Sequence, residues 1–284
     1  MKNFIVRTIT GIIFVAAIVA SFLRPEAMVL LFSIVTGLTV WEFTGLVNGN
    51  VNVNVNVNRF ISTAAGVYFF YAMTYFCSDL YGGSAKSVVF IPYLVTIIYL
   101  LVAELYLKQE DPIADWAYTM LSQMYIALPF SLLNVLAFTA TPQGTVNFNT
   151  LLPLSVFVFL WINDTGAYCT GSLIGRHKLF PRISPAKSWE GCIGGAVFVL
   201  AAAWAISYWL DGVMLTTIEW LGLGLVVVVF GTWGDLVESL FKRTLGIKDS
   251  GNILPGHGGM LDRFDSALLA IPAAVVYLYT LSMF

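Results

Sequence analysis

The chain contains 284 residues, of which 58% are hydrophobic and only 11% are charged, and its mean hydropathy is +0.83. Soluble domains carry about 25% charged residues, so this composition excludes an ordinary soluble protein. The 14 basic and 16 acidic residues give a net charge of -2. Without a basic excess to hold a nucleic-acid backbone, no nucleic-acid partner is expected.

Nine apolar stretches are each long enough to form a membrane-spanning helix, which needs about 20 apolar residues. We therefore predict an all-α, polytopic integral membrane protein of about nine transmembrane helices that forms a single membrane domain over residues 1–284. The first stretch ends at Arg24 and Pro25 without a small-residue cleavage site, so we expect a retained helix rather than a signal peptide. The predicted spans are 4–23, 27–47, 60–77, 88–107, 116–138, 151–174, 191–210, 218–241 and 266–284.

The basic residues are distributed unevenly between alternate loops. With these nine spans, Arg24 and Lys86 fall on one side, and the remaining 12 of the 14 Lys and Arg residues fall on the side of the N-terminus. Because basic loops are retained in the cytoplasm, we expect a cytoplasmic N-terminus, and an active site facing the cytoplasm from the plasma (inner) membrane.

Most of the clustered charges lie in the second half of the chain, where the loops at 175–190 and 242–265 hold eight basic residues. We therefore divide the domain into a helical scaffold, residues 1–150, and a catalytic half, residues 151–284, with cytoplasmic loops at 175–190 and 242–265. The low-complexity Val-Asn repeat at 51–58 is predicted to form a short loop or ribbon without a functional role. Glu42 and Glu104, near span ends, are interpreted as interfacial or paired acids.

The eighth span ends in a polar stripe. Asp235, Ser239 and Lys242 are spaced i, i+4 and i+7, so a helix projects them from one face, with Glu238 beside them. An intramembrane carboxylate costs about 2.5 to 3.5 kcal/mol on insertion scales and normally faces a cavity or a partner. The stripe therefore indicates either a functional site or an ion pair of Asp235 or Glu238 with Lys242 that closes the helix end.

A glycine-rich loop follows this stripe and leads into the ninth span. Five glycines between Thr244 and Asp265 let the backbone approach a ligand, and amides beside Lys and Arg are typical of a phosphate cradle. Asp262 and Asp265 share a helical face beyond the loop. One or two carboxylates together with substrate phosphates suit Mg²⁺, and His257 is expected to form hydrogen bonds in the loop rather than to bind zinc.

Two blocks of residues carry a resemblance to a known family. The first block runs from Ser239 through Lys242, Arg243, Lys248, Asp249, Pro255, Gly256, His257, Gly258, Gly259, Asp262, Arg263 and Asp265. It resembles the signature of the phosphatidate cytidylyltransferases, the CDP-diacylglycerol synthases. The second block, Asn163 to Tyr168 and the basic loop from Arg176 to Glu190, is similar to a further part of that family, with departures at Ser172, Ala186 and Ser188.

The resemblance implies a reaction in which CTP and phosphatidic acid, a membrane lipid, give CDP-diacylglycerol and pyrophosphate with Mg²⁺ as cofactor. It implies Asp235, Asp262, Asp265 and Asp164 as metal ligands, the first three also as catalytic residues together with Lys242. Expected nucleotide or phosphate contacts are Lys187, Arg182, Ser239, Lys242, Arg243, Lys248, Gly256, His257, Gly258 and Gly259. Arg263, Asp249 and Glu190 are assigned structural or undecided roles.

Two alternative functions and the state of assembly remain open at the level of the sequence. A secondary transporter would also place acids in broken helices, but it usually contains internal repeats, and none is evident. A lipid or polyprenol kinase would use CTP but release CDP instead of pyrophosphate. Small residues at Gly194, Gly195 and Ala196 allow close helix contact or a homodimer.

Overall fold

The computed structural model describes residues 2–51, 53–78, 86–140, 145–210, 214–251, 253 and 258–282. Helices dominate these residues, and two short antiparallel hairpins interrupt them. The helices are α1 (Lys2–Ser21), α2 (Pro25–Asn48), α3 (Arg59–Ser78), α4 (Ile91–Leu107), α5 (Pro112–Leu121), α6 (Leu128–Ala137), α7 (Leu151–Ile174), α8 (Trp189–Leu210), α9 (Thr217–Thr244) and α10 (Leu261–Leu281). The strands are β1 (Phe138–Ala140), β2 (Val146–Phe148), β3 (Lys178–Phe180) and β4 (Ser184–Ser188).

Eight helical segments among the described residues are long and apolar enough to cross a membrane. One of them, Pro112–Ala137, consists of α5, a π-helical turn over Ser122–Ala127, and α6. The apolar helix Thr8–Ser21 within α1 corresponds to the first predicted span. The prediction of an all-α polytopic membrane protein is confirmed, whereas the cytoplasmic N-terminus stays a prediction.

Local sequence explains where several helices begin. Pro25 occupies the first turn of α2, where its missing N–H would have no helical partner. Asp111 caps α5 by accepting a hydrogen bond from the Ala114 amide at 3.0 Å. Helix α10 begins at Leu261, five residues before the predicted span, so both Asp262 and Asp265 lie within its first two turns.

The chain forms two compact units. Unit 1 comprises Met1–Pro153 and Thr244–Phe264, and unit 2 comprises Leu154–Arg243 and Asp265–Phe284. The glycine-rich loop therefore belongs to unit 1, together with the first half of the chain. The predicted division into a scaffold and a catalytic half concerns function and stays a prediction.

Aromatic packing holds the start of α10 within unit 1. Phe264 is buried and lies 5.3 Å from Phe130 and 6.3 Å from Phe32 between ring centroids. Phe32 in turn contacts Phe22 at 5.4 Å. Burying aromatic rings of this size contributes about 1.5 to 3 kcal/mol each, so this cluster fixes the first turn of α10 against α2 and α6.

The Val-Asn segment forms an irregular loop in unit 1, as predicted. Val55 and Val57 are buried, while the asparagines between and beside them are exposed. Asn48 fixes the loop by donating to the Val57 carbonyl and accepting from its amide, both at 2.8 Å. The Asn56 amide donates to Asp115 at 2.5 Å, which ties the loop to α5.

Helices α7 and α8 of unit 2 pack through small residues. A Cβ added at Gly195 would lie 2.5 Å from the Asn163 side-chain oxygen, and one added at Gly194 would collide with Thr170. Gly166 is similarly close to Phe198, at 2.9 Å. The glycines that suggested a homodimer thus make contacts within this unit, and the homodimer stays a prediction.

Candidate active site

The basic loop between α7 and α8 is a β-hairpin, which the sequence did not predict. Ser188 caps α8 by accepting a hydrogen bond from the Gly191 amide at 3.2 Å. The Glu190 carboxylate accepts hydrogen bonds from the amides of Arg176 and His177, at 3.1 and 3.2 Å, and lies 2.5 Å from His177 Nδ1. Glu190 therefore closes the base of the hairpin, which gives this undecided residue a structural role.

A cavity of about 420 Å³ lies between α7, β4, α8 and α9 in unit 2. Its wall combines apolar helix surface with a few convergent polar groups, as in small-molecule sites. The polar lining residues are Asn163, Asp164, Ser172, Lys187, Ser188, Thr232 and Asp235. Hydropathy and motif reasoning had selected Asp164, Lys187 and Asp235 from this set, and the structure brings these three together.

Asp235 contacts two polar side chains, Lys187 and Ser239. Its Oδ2 lies 2.6 Å from Lys187 Nζ, and its Oδ1 accepts a hydrogen bond from Ser239 Oγ at 3.1 Å. The second contact confirms that Asp235 and Ser239 share a helical face. Lys187, which was expected to contact nucleotide phosphates, here pairs with Asp235, and its role toward phosphate stays a prediction.

Two further carboxylates lie within electrostatic reach of Asp235. Asp164 and Asp265 are both repelled by Asp235 and by each other, and Lys187 offsets part of this negative charge. Asp265 Oδ1 also accepts a hydrogen bond from the Ser266 amide at 2.6 Å. Like charges held together in this way favour the binding of a cation.

The donor set fits Mg²⁺ rather than a cage made of protein ligands. Among the residues that the structure describes, no group of three or more His, Cys, Asp or Glu side chains is arranged to hold a metal ion. Mg²⁺ keeps several waters and is usually bound by one or two carboxylates together with substrate phosphates. Asp164 and Asp235, both on the cavity wall, provide such a sparse set.

The C-terminal end of α9 contains a separate ion pair. Lys242 Nζ lies 2.5 Å from Glu238 Oε2, and the Glu238 side chain is fully buried. Of the two pairings that the sequence left open for Lys242, the structure contains the one with Glu238. The neighbouring Arg243 donates from Nε to the Ile183 carbonyl at 3.4 Å. Phosphate contacts of Lys242 and Arg243 stay predictions.

Asp262 organises the glycine-rich loop of unit 1. Its Oδ2 accepts hydrogen bonds from the amides of Ser250 and Gly259, at 2.9 and 3.0 Å. Gly258 has φ +85, a left-handed conformation that glycine adopts without strain. The sequence predicted loop amides that are available to bind phosphate. The Gly259 amide instead donates to Asp262, so a phosphate could bind this amide only by displacing that hydrogen bond.

The remaining predicted residues of this region are either exposed or outside the described part of the chain. Lys248, Asp249, Arg263 and, in the hairpin, Arg182 are exposed. Gly256 and His257 lie outside the described residues. Asp262 and Asp235 belong to different units, and the metal site that they were predicted to share stays a prediction.

Glu42 is the residue that sequence reasoning missed. Sequence reasoning interprets it as an interfacial or paired acid, and the structure shows that its side chain is buried, with 7% exposure. Glu42 accepts hydrogen bonds from Ser250 Oγ at 2.6 Å, the Met260 amide at 2.9 Å and the Leu261 amide at 3.0 Å. A carboxylate inside an apolar helix was the available signal.

These features define an integral membrane protein with an acidic, lysine-containing cavity among its helices. Comparison with known proteins assigns it more closely. Residues 5–281 match the model of the cytidylyltransferase family, and the chain belongs to that family.

Curated relatives share a substantial part of the sequence. The chain is similar to the phosphatidate cytidylyltransferase of Staphylococcus aureus, with 42% identity over 165 residues, which are 58% of this chain and 60% of that protein. Similarity to the phosphatidate cytidylyltransferase of Staphylococcus saprophyticus reaches 48% over 121 residues, 42% of this chain and 45% of the relative. The matched region therefore spans about three fifths of the first relative's length and less than half of the second's.

Proposed function

We propose that this protein transfers the cytidylyl group of CTP to phosphatidic acid, giving CDP-diacylglycerol and pyrophosphate. The observation that carries the proposal is the cavity lined by Asp164, Asp235 and Lys187, in a chain of the cytidylyltransferase family. A membrane protein can receive a lipid sideways between its helices. A cavity lined by α7, α8, α9 and the hairpin strand β4 therefore suits one lipid and one water-soluble substrate.

The reaction joins two anions, so charge determines what the site must do. A phosphatidate oxygen attacks the α-phosphorus of CTP, the bond to the oxygen that bridges to the β-phosphorus breaks, and pyrophosphate leaves with that oxygen. Lys187 can offset the repulsion between the two phosphates, and Ser239 holds Asp235 in place. No covalent nucleophile from the protein is needed.

Asp164 and Asp235 would hold Mg²⁺ in this cavity, with Asp265 orienting its water ligands. For Asp262, a role in binding Mg²⁺ is proposed from the sequence block in which it lies. When bound, the ion neutralises phosphate charge and favours departure of pyrophosphate. The mutual repulsion of Asp164, Asp235 and Asp265 supports this assignment, because a divalent cation relieves it.

We further propose that the cavity faces the cytoplasm from the plasma membrane. The support is the distribution of basic residues, of which 12 of the 14 lie on one side in the predicted topology. The test replaces Lys86 and Lys248 singly by cysteine and labels each variant with a thiol reagent that does not cross the membrane. The predicted topology places the two positions on opposite sides. Labelling of both positions from the same side of intact cells would contradict it.

The activity is tested with purified protein in detergent, phosphatidic acid, Mg²⁺ and CTP labelled at either the α- or the γ-phosphorus. The proposal requires the α-label to enter the lipid while pyrophosphate is released, and a chelator to stop the reaction. Entry of the γ-label together with release of CDP would instead identify a CTP-dependent lipid kinase. If neither label entered the lipid, both transfer reactions would be excluded and the transporter alternative would remain.

A further inference from the structure

A buried carboxylate from the first half of the chain lies at the centre of the glycine-rich loop. Glu42 of α2 accepts hydrogen bonds from Ser250 Oγ and from the amides of Met260 and Leu261, and all of these residues belong to unit 1. The two amides lie at the N-terminus of α10, where the helix dipole favours a negative charge. Hydrogen bonds to an ionised acceptor are about twice as strong as those between neutral groups.

At Gly251 and Gly259 the loop backbone lies close to this carboxylate. A Cβ added at Gly251 would lie 2.6 Å from Glu42 Oε2, and a Cβ added at Gly259 would collide with both Ser250 Oγ and Glu42 Oε1. Glycine is therefore required at two loop positions because Glu42 occupies the adjacent space. This contact explains two glycines of the sequence block without reference to a ligand.

Ser250 connects Glu42 to Asp262. Its Oγ donates to Glu42 at 2.6 Å and accepts from the Asp262 amide at 3.3 Å, while its own amide donates to Asp262 Oδ2 at 2.9 Å. The position of the Asp262 carboxylate thus depends on Ser250, and that of Ser250 on Glu42.

We propose that Glu42 is a positioning residue: its carboxylate fixes Ser250 and the first turn of α10 and thereby orients Asp262. The inference deepens the proposed function, because it gives the glycine-rich loop a rigid anchor on α2. Glu42 itself touches no substrate in this account. Its removal should loosen the loop and weaken Mg²⁺ binding through Asp262.

Glu42→Gln is the informative substitution. Glutamine has nearly the same shape as glutamate and keeps one oxygen acceptor. Its NH₂ group replaces the other oxygen and cannot accept a hydrogen bond, so one of the backbone amides that now donate to Glu42 would lose its acceptor. Glu26→Gln is the matched control, since Glu26 is an exposed acid on the same helix. Hydrogen exchange of the purified protein without Mg²⁺ is compared over peptides covering 245–264.

We expect exchange in these peptides to rise at least about tenfold in Glu42→Gln and not in Glu26→Gln, while exchange in α3 and α8 stays unchanged. In the CTP and phosphatidate assay the half-saturating Mg²⁺ concentration should rise about 10- to 100-fold, as for other residues that orient metal ligands. The KM for phosphatidate at saturating Mg²⁺ should change less than about twofold. A lower yield of folded protein with unchanged loop exchange and unchanged Mg²⁺ dependence would overturn the proposal.

Ser250→Ala provides a second test that leaves the buried carboxylate in place. If Glu42 acts through Ser250, the double variant Glu42→Gln, Ser250→Ala should show the hydrogen-exchange rate and the turnover of the more impaired single variant. The effects of coupled residues are not additive. If the fold-changes of the two single variants multiplied in the double variant, Glu42 and Ser250 would act independently, and action of Glu42 through Ser250 would be refuted. Should wild-type protein lack transferase activity, the proposed function fails, whereas the exchange measurement still decides the role of Glu42.

Discussion

Replacing Asp235 by asparagine should separate stability from catalysis. The substitution is nearly isosteric, and the asparagine oxygen can still accept the hydrogen bond that Ser239 Oγ makes at 3.1 Å. What disappears is the negative charge that lies 2.6 Å from Lys187 Nζ. The cavity should therefore retain its shape while losing one of its two wall carboxylates.

The expected loss of stability is small. Two unit charges separated by the 2.6 Å of this pair attract by about 6 kcal/mol at an effective dielectric constant of about 20, and by about 1.6 kcal/mol in water. Because 24% of the Lys187 and 31% of the Asp235 side chain are exposed, solvent screening and desolvation reduce the net contribution to about 1 kcal/mol. The melting temperature should fall by about 2 to 4 °C.

The expected loss of activity is much larger. Removing one preorganised electrostatic group from a reaction centre typically lowers kcat by about 10²- to 10³-fold, which corresponds to about 3 to 4 kcal/mol of transition-state stabilisation. Pyrophosphate release and the melting temperature are measured on the same purified samples. Turnover within about threefold of wild type, at an unchanged Mg²⁺ requirement, would refute the role of Asp235.

Three further predictions concern α9 and the loop. Lys242→Met removes the cation beside the buried Glu238 carboxylate and should destabilise the protein by about 3 to 5 kcal/mol, seen as a lower melting temperature and yield. Gly234→Ala should lower stability by about 1 to 3 kcal/mol in thermal unfolding, since its Cβ would lie 2.5 Å from a carbonyl oxygen of α10. Asp262→Asn should abolish Mg²⁺-dependent turnover and leave the exchange of the Ser250 amide nearly unchanged, because an oxygen acceptor remains.

The two stability outcomes each have a matched control. The double variant Glu238→Gln, Lys242→Met should recover much of the stability lost in the single variant, and failure to recover would argue against a charge effect. Val237→Ala, at an exposed position of the same helix, should melt within about 1 °C of wild type, as surface changes usually do. Normal turnover of Asp262→Asn would contradict the assignment of Asp262 to the metal.

Hydropathy predicted the membrane helices because a span is a local property of about 20 consecutive residues. The same locality explains what was missed. The hairpin over 178–188 is short and polar, and its closure depends on Glu190 and His177, whose pairing no period-two pattern reveals. The start of α10 at Leu261 was placed too late because its first turn is polar and is fixed by tertiary contacts.

The acids of the cavity were found from motif spacing, but their partners were not. Spacing along α9 correctly placed Asp235 and Ser239 on one face, whereas the pairing of Lys187 with Asp235 depends on a strand 48 positions away in sequence. Glu42 and Ser250 are separated by 208 residues, so no local rule connects them. Contacts at such separations are set by the packing of whole helices, and a single sequence does not encode them in a readable pattern.

The alternation of buried valines and exposed asparagines over residues 54–58 has a consequence for how the Val-Asn tract can evolve. Tandem dipeptides change in number by slippage of their coding repeat, and each gain or loss of a whole Val-Asn unit keeps the parity that directs valines such as Val55 and Val57 inward. Loss of a single residue would instead direct asparagines inward. Natural variants are therefore expected to differ here in steps of two residues, at little entropic cost for the longer loop.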